Sequence, residues 1–265
     1  MVYKTKITVK PLSLILSTAM SKISYSIKKK EGALIKDPVM LVKSYPKMHV
    51  TVDCAIFGFD DNELKVLLIR SDLEIYKDLW SLLGDNIADD EDIDAAAYRI
   101  LKDRTGMQDV YLEQVKVFSK PDRHPGGRVI TIAYCTLLNT RHHELMIHDN
   151  EIHWHSFSSI DEMAFDHKEI LLASYQWLQK RIQEHPLGFN LLPEKFSLRE
   201  LQTLYEAILG VTLDRRNFRK KFASMKLLID TNEFEGDVPH RPGKLYKFNF
   251  EKYEKQKNRW TGIDF

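Results

Sequence analysis

Residues 91–107 have the sequence EDIDAAAYRILKDRTGM, and this stretch decides the fold of the first half of the chain. Its apolar side chains recur at the spacing of a single helix face, at Ile93, Ala96, Ala97, Ile100 and Leu101. Gly106 follows them, and glycine commonly ends a helix because it adopts the left-handed conformation without strain. The stretch therefore predicts an amphipathic helix over residues 92–105 that packs on an apolar core.

Apolar runs on both sides of this helix predict strands. They cover residues 49–59, 64–69, 110–118, 129–138 and 153–157, and a second helix covers residues 170–182. The turn-like residues 60–62 join the first two strands into a hairpin. Because strands precede and follow the helix in mixed order, we expect a sheet sandwiched between helices.

A different pattern begins after residue 183. Residues 184–188, EHPLG, break the helical periodicity and predict a linker. Ser197 and Glu200 then form a capping-box pair at the start of a helix, which Gly210 ends. The apolar stripe of this helix consists of Leu201, Leu204, Tyr205 and Ile208.

A short turn leads to one more helix, with Asp214 as its N-cap. Phe218, Phe222 and Met225 share one face of this helix, and strand-like runs follow at residues 227–230 and 245–248. Helix, turn, helix and hairpin in this order predict a winged helix-turn-helix domain.

The helix after Asp214 is strongly cationic. The candidate DNA-binding residues are Arg215, Arg216, Asn217, Arg219 and Lys220 on the helix, Arg241 and Lys244 on the hairpin loop, and Lys195 at the entry to the preceding helix. Arginine reads guanine edges and asparagine reads adenine in a major groove, while neighbouring cations neutralise phosphates. An ordinary charged surface helix is the alternative. The short turn, the apolar partner helix and the basic hairpin loop favour DNA binding.

The charge distribution agrees with this division of the chain. The formal net charge is +1, but residues 181–265 contain 16 Lys and Arg against 12 Asp and Glu, so the C-terminal part is the more basic one. Cys54 and Cys135 lie in separate apolar runs without CxxC spacing, which predicts buried, reduced thiols. No stretch is long enough to span a membrane, and we expect a cytoplasmic protein.

Residues 1–46 form an N-terminal extension that we expect to be partly disordered. Three lysines precede the apolar residues 12–20, which resemble a short secretory signal interrupted by serines. The alternative is an over-long start, with Met20 or a later residue beginning the ordered protein.

The helix at residues 92–105 and its flanks resemble the box of Nudix pyrophosphatases. That box consists of Gly, five residues, Glu, seven residues and then Arg-Glu-U-x-Glu-Glu-x-Gly-U, where U is apolar. Counting back from Gly106, the expected residues are present at Glu91, Arg99, Leu101, Gly106 and Met107. Asp85 replaces the second glycine of the usual pair, and Leu83 replaces the proline before it.

The metal-binding face of the box is altered. The resemblance implies three glutamates at positions 100, 103 and 104, which share one helix face and would together hold Mg²⁺ against a diphosphate. This chain has Ile100, Asp103 and Arg104 there. A hard cation needs several oxygen ligands, and one short carboxylate beside a guanidinium does not supply them. We therefore expect no metal, no cofactor and no catalytic residues.

Both halves together resemble the Nudix-related transcriptional regulators of bacteria, of the NrtR and AraR kind. In the first half the resemblance rests on residues 49–53, 79–82, 110–114, 122–125 and 165–167, besides the box. In the second half it rests on residues 189–193, 201–208 and 214–220, which ordinary Nudix enzymes lack.

This resemblance implies an α+β chain: a Nudix α/β/α sandwich with a mixed sheet, followed by a winged helix-turn-helix domain. The expected domains are residues 47–183 for effector sensing, 184–190 as linker, 191–255 for DNA binding and 256–265 as tail. The family implies a homodimer that binds a double-stranded DNA operator and responds to a small-molecule effector, a sugar or an ADP-ribose-like compound. The lost glutamates and Asp85 favour a neutral sugar.

The effector-binding residues are harder to predict. The loop KPDRHPGGR at residues 120–128 offers cations and backbone amides beside a short strand, which gives Glu113, Asp122, Arg123 and Arg128 as candidates. A solvated turn is the alternative.

Two further groups of residues favour structural interpretations. His153 and His155 share a strand face, but no third ligand lies at useful spacing, so we expect a surface strand and not a metal site. In the stretch Phe165-Asp166-His167 we expect Asp166 to cap the following helix.

Two other functions compete with the regulator. One is an active Nudix pyrophosphatase for ADP-ribose or a related nucleoside diphosphate compound, which would use Glu91, Asp103 and a further ligand. The other is a ligand-binding scaffold whose basic C-terminal part binds protein partners.

Overall fold

The computed structural model describes residues 48–60, 62–140, 151–236, 241–256 and 262–263, all within one compact unit, Met48–Phe265. The N-terminal extension lies outside the described residues, and so does most of the predicted tail. In the part of the chain that the structure describes, no helix is both long and apolar enough to cross a lipid bilayer.

A mixed, seven-stranded sheet forms the first half. Its strands are β1 (His49–Asp60), β2 (Glu63–Arg70), β3 (Trp80–Ser81), β4 (Leu83–Asn86), β5 (Glu113–Phe118), β6 (Val129–Asn139) and β7 (Ile152–Ser156). The order is β3-β2-β1-β6-β5, with β4 also paired to β1 and β7 to β2. The pair β1–β6 is parallel, whereas β2 and β4 run antiparallel to β1. The predicted sheet is therefore present, and the pairing places the ends of β1, β2 and β4 beside one another.

Two helices cover the two faces of this sheet. They are α1 (Ile93–Thr105) and α2 (His167–Glu184). Asp92 caps α1 by accepting from the Ala95 amide, and Gly106 ends it in the left-handed conformation, at φ 77°. Four of the five residues of the predicted apolar stripe are buried, but Ile93 in the first turn is 39 % exposed. The burial of the stripe explains why α1 packs on the sheet.

The winged helix-turn-helix domain has the predicted elements and three additions. Its elements are β8 (Phe196–Ser197), α3 (Leu198–Leu209), α4 (Arg215–Met225), β9 (Leu228–Phe234), β10 (Lys244–Phe248) and α5 (Phe250–Gln256). Both bonds of the capping box are present, since Ser197 accepts from the Glu200 amide and Glu200 accepts from the Ser197 amide. The two-residue strand β8, the helix α5 and a 3-10 turn at Leu187–Leu191 were not predicted.

The segment between the halves is packed rather than extended. The helix α2 continues to Glu184, and Phe189 in the following 3-10 turn is buried and stacks on Phe248 at 3.9 Å between ring centroids. One apolar cluster runs from Phe57 in the sheet, through Ile182, to Leu204 in α3. Because burial of such side chains is the main source of stability, the two halves support each other.

Candidate effector cleft and DNA-binding face

A cleft of about 1120 Å³ opens where the ends of β1, β2 and β4 meet. Its lining includes charged and aromatic side chains, among them Asp53, Arg70, Trp80, Arg104, Arg123 and His167. They come from six separate parts of the chain, namely β1, β2, β3, α1, the loop after β5 and the start of α2. A cavity of this size accommodates a ligand as large as a dinucleotide.

A buried ionic network forms the floor of the cleft. Arg123 donates two hydrogen bonds to the Asp166 carboxylate, at 2.9 and 2.7 Å, and its Nη2 lies 3.5 Å from Asp53 Oδ2. The Arg123 side chain is only 3 % exposed. Two carboxylates share this one guanidinium, and buried charges are tolerated only when paired in this way.

His167 completes the network as a neutral ring. Its Nδ1 accepts a hydrogen bond from the Leu82 amide at 3.0 Å, so the ring proton lies on Nε2, which is 3.6 Å from Asp53 Oδ1. Burial lowers the pKa of His167, and Asp53 offsets only part of that effect. His167 therefore lies beside Asp53 without adding a positive charge.

The structure corrects the predicted role of Asp166. This residue occupies the N-cap position of α2, but its side chain forms no capping hydrogen bond. The carboxylate turns to Arg123 instead, a partner 43 residues earlier in the chain. A charge-assisted, two-point ion pair is stronger than a single cap bond, and this explains the preference.

An aromatic cluster lies beside the floor. The rings of Phe165 and His124 are stacked, with centroids 5.1 Å apart, and Tyr76 approaches Phe165 to 4.5 Å. Phe165 has φ 55°, a left-handed conformation that is strained for an aromatic residue. Burial, and then Arg123, lower the pKa of His124.

A second aromatic arrangement surrounds Trp80, which also lines the cleft. The centroids of the His155 and Trp80 rings are 4.2 Å apart. The Arg70 guanidinium lies 4.0 Å from the Trp80 ring centroid and donates a hydrogen bond to the Asp78 carbonyl. The predicted strand is β7, in which His153 is exposed and lines the cleft while His155 is half-buried. Burial lowers the pKa of His155.

The altered box is held together by ion pairs of its own. Arg99 donates to the Glu91 carboxylate at 2.9 and 2.7 Å, and its Nη1 lies 3.9 Å from Asp103. The bonds from Arg99 lower the pKa of Glu91 to about 2. Ile100 is buried against the sheet, and Arg104 points to the cleft wall.

Mg²⁺ does not fit this arrangement. Over the described ranges, no group of three or more His, Cys, Asp or Glu side chains is close enough to hold a metal ion. At the box, Arg99 holds Glu91 by hydrogen bonds, and the exposed Asp103, 3.9 Å from Arg99, is the one carboxylate among positions 100, 103 and 104.

Of the four predicted effector-binding residues, only Arg123 lines the cleft. Glu113 forms an ion pair with Arg181 on α2 at 2.6 Å, Asp122 is exposed, and Arg128 donates to the Ser119 carbonyl at 2.7 Å. The roles of these residues in effector binding stay predictions.

Sequence reasoning missed the cleft residues Asp53 and Trp80. A single carboxylate inside the apolar run of β1 was the available signal for Asp53, because an acidic residue is rarely buried without a partner. No comparable signal marks Trp80, whose position in the cleft depends on pairing between β2 and β3.

The recognition helix α4 presents its cations to solvent. Phe218 and Phe222 are each 1 % exposed, whereas Arg215, Arg216, Asn217, Arg219 and Lys220 are all exposed. Asp214 fixes the start of the helix by accepting from the Asn217 amide at 2.8 Å. None of these four cations forms an ion pair with another described residue, which leaves their charge available to a ligand.

The lysines around the wing are already paired. Lys244 contacts Asp230 and Lys195 contacts Glu233, each at 2.7 Å, and the pairing with Asp230 raises the pKa of Lys244. Arg241 is exposed. A phosphate contact by either lysine would have to replace an existing carboxylate partner, so α4 is the stronger candidate for DNA binding.

The chain combines a Nudix-type sheet and its large cleft with a winged helix that has an unpaired cationic face. This combination is typical of ligand-responsive, DNA-binding regulators. Residues 47–178 match the NUDIX domain and residues 188–248 match the NrtR DNA-binding winged helix domain. The chain is 32 % identical over 215 residues to the ADPR responsive transcriptional repressor NtrR of Acinetobacter baylyi, covering 79 % of this chain and 86 % of that protein. The chain therefore belongs to the NrtR family of Nudix-related transcriptional regulators.

Solved structures agree with this assignment. The NrtR of Shewanella oneidensis, crystallised with a 27mer DNA, is similar at a TM-score of 0.66 and 26 % identity, covering 80 % of this chain and 96 % of that one. A MutT/nudix family protein of Enterococcus faecalis shares the fold at a TM-score of 0.64 and 24 % identity, over 87 % and 98 %. The predicted family, the predicted fold class and the predicted DNA-binding regulator are confirmed.

Proposed function

We propose that the protein is a repressor that binds operator DNA through α4 and releases it when an effector occupies the cleft. The observation that carries this proposal is the free cationic face of α4, on the same compact unit as a large cleft with a built floor. We expect a homodimer acting in the cytoplasm, because paired recognition helices match two half-sites about one turn of DNA apart.

The helix α2 offers a direct link between the cleft and the DNA-binding domain. His167 at its start belongs to the cleft floor, and Gln179 donates to the Leu209 carbonyl of α3 at 2.8 Å. Eighteen helical residues span about 27 Å, so a shift at the floor is carried to α3 by one rigid element. An effector regulates DNA binding only if its affinity differs between two conformations of the protein, one with α2 positioned for DNA binding and one with α2 shifted.

We infer that the effector is an ADP-ribose-like compound. The sequence alone favours a neutral sugar, but the relative from Acinetobacter baylyi is named as ADPR responsive. The cleft supports the larger ligand, since it combines a volume of about 1120 Å³ with stacked rings and with arginines on its wall.

Binding to promoter DNA of the protein's own locus tests the proposal. In an electrophoretic mobility shift at low salt, we expect the intact protein to retard this DNA and ADP-ribose to reverse the shift. Arabinose serves as the comparison effector. Failure to retard the DNA would contradict the repressor, whereas release by arabinose alone would contradict the effector class.

We propose further that the Nudix domain is not catalytic. The buried Ile100, the Arg99-bound Asp103 and the guanidinium of Arg104 support this, because together they leave the box face without a set of metal ligands. The rival hypothesis is an active enzyme. It is favoured by the 28 % identity, over 138 residues, to an ADP-ribose pyrophosphatase of Methanocaldococcus jannaschii.

Hydrolysis assays separate the two possibilities. We expect no turnover of ADP-ribose above the buffer rate with Mg²⁺ or Mn²⁺, whereas enzymes typically turn over at about 1–1000 s⁻¹. The positive control is an ADP-ribose pyrophosphatase, such as the enzyme of Methanocaldococcus jannaschii, assayed in the same buffers. Robust metal-dependent turnover by the unchanged protein would contradict the proposal.

A further inference from the structure

Arg104 is a cation on the cleft wall that the floor network does not use. It lies in the last turn of α1, is exposed to the cleft and forms no ion pair with another described residue. Its neighbour Asp103, the nearest carboxylate in sequence, pairs with Arg99 instead. The guanidinium therefore keeps all of its donors for a ligand.

The floor of the cleft rejects an anion. The buried Asp53 and the half-buried Asp166 share the single guanidinium of Arg123, so the floor has an excess of negative charge when His167 is neutral. A diphosphate placed there would meet repulsion in a region where charges are poorly screened. The phosphates of an effector must therefore lie towards the wall of the cleft.

On the wall, the other arginine is already engaged. Arg70 is stacked over Trp80 and donates to the Asp78 carbonyl, which fixes its position but leaves donors on the guanidinium. Asp85 on β4 also lines the cleft, and it accepts from the Asn86 amide. Lys77 also lines the cleft, but its ammonium lies 3.8 Å from a Glu74 carboxylate oxygen. Arg104 is thus the cation of the described cleft wall that is best placed to hold a phosphate.

We propose that Arg104 binds the diphosphate of the effector directly and that effector binding needs no divalent cation, an inference that rests on the ADP-ribose-like effector proposed above. A guanidinium binds phosphate oxygens through two parallel hydrogen bonds, which supply both charge and orientation. The described part of the cleft wall provides no cluster of metal ligands that could do so instead.

Calorimetric titration of ADP-ribose into the intact protein tests this role. Loss of a hydrogen bond to a charged group weakens binding about 10- to 100-fold, and we expect this rise in Kd for Arg104→Ala. We expect a smaller rise for Arg104→Lys, which keeps a point charge but not the paired geometry. The Kd of the unchanged protein should be the same in EDTA and in Mg²⁺.

The matched control is Lys102→Ala, which removes an exposed cation of the same helix turn that does not line the cleft. Its Kd should not change, and the thermal midpoints of both alanine variants should match the unchanged protein. An unaltered Kd in Arg104→Ala, or a tenfold tighter Kd in Mg²⁺, would overturn the inference while leaving the proposed effector intact. Absence of ADP-ribose binding in both buffers would overturn the effector as well.

Discussion

Replacing Arg216 and Arg219 together by alanine abolishes specific operator binding at physiological salt. Both side chains are exposed on the face of α4 opposite the buried Phe218. Each base or phosphate contact contributes about 1–3 kcal/mol, so loss of two weakens binding roughly 100-fold or more. Fluorescence anisotropy with labelled operator DNA measures the change.

The control variant also removes two positive charges, but from helices outside the DNA-binding domain. Lys102 and Lys180 are exposed on α1 and α2, and their double alanine variant should bind the operator within about twofold of the unchanged protein. If the lost contacts are to phosphates, the slope of log K against log salt should also fall by about 2 for the arginine variant. Unchanged DNA affinity in that variant would instead favour the scaffold that binds protein partners.

Substitution of Arg123 by methionine produces the largest loss of stability that we expect from a single change. It leaves the buried Asp53 and the half-buried Asp166 without their shared partner, and breaking a buried ion pair costs about 3–5 kcal/mol. For a chain of this size the thermal midpoint should fall by roughly 10 °C. Urea denaturation followed by circular dichroism measures the free energy of unfolding.

Two further variants separate charge from packing in this result. Arg128→Met removes an exposed arginine from the same loop and should cost less than about 1 kcal/mol. Adding Asp53→Asn and Asp166→Asn to the Arg123 variant should recover part of the loss, because the uncompensated charges are then absent. A loss below about 1 kcal/mol in Arg123→Met would show that the network is not a buried ionic one.

Local patterns in the sequence predicted the elements that depend on neighbouring residues. The helix α1, the capping box at Ser197 and the N-cap at Asp214 are each determined within about four residues. The free cationic face of α4 followed from the same helical periodicity. These features do not depend on the register of the sheet.

Features that depend on distant residues were not predictable in the same way. The bond from Arg123 to Asp166 crosses 43 residues, and it diverts Asp166 from the cap that local reasoning favours. The two-residue strands β3 and β8 are too short to show any periodicity. The predicted linker packs on the winged helix domain because Phe189 stacks on Phe248, which lies almost sixty residues later in the chain.

We expect the cleft to sense its ligand without consuming it. The most direct measurement follows operator anisotropy after ADP-ribose is added in EDTA and in Mg²⁺, with chromatography of the nucleotide at each time point. We predict release of the DNA that persists in both buffers, with ADP-ribose recovered intact. DNA that stays bound, or that rebinds as ADP-ribose is cleaved, would contradict the account.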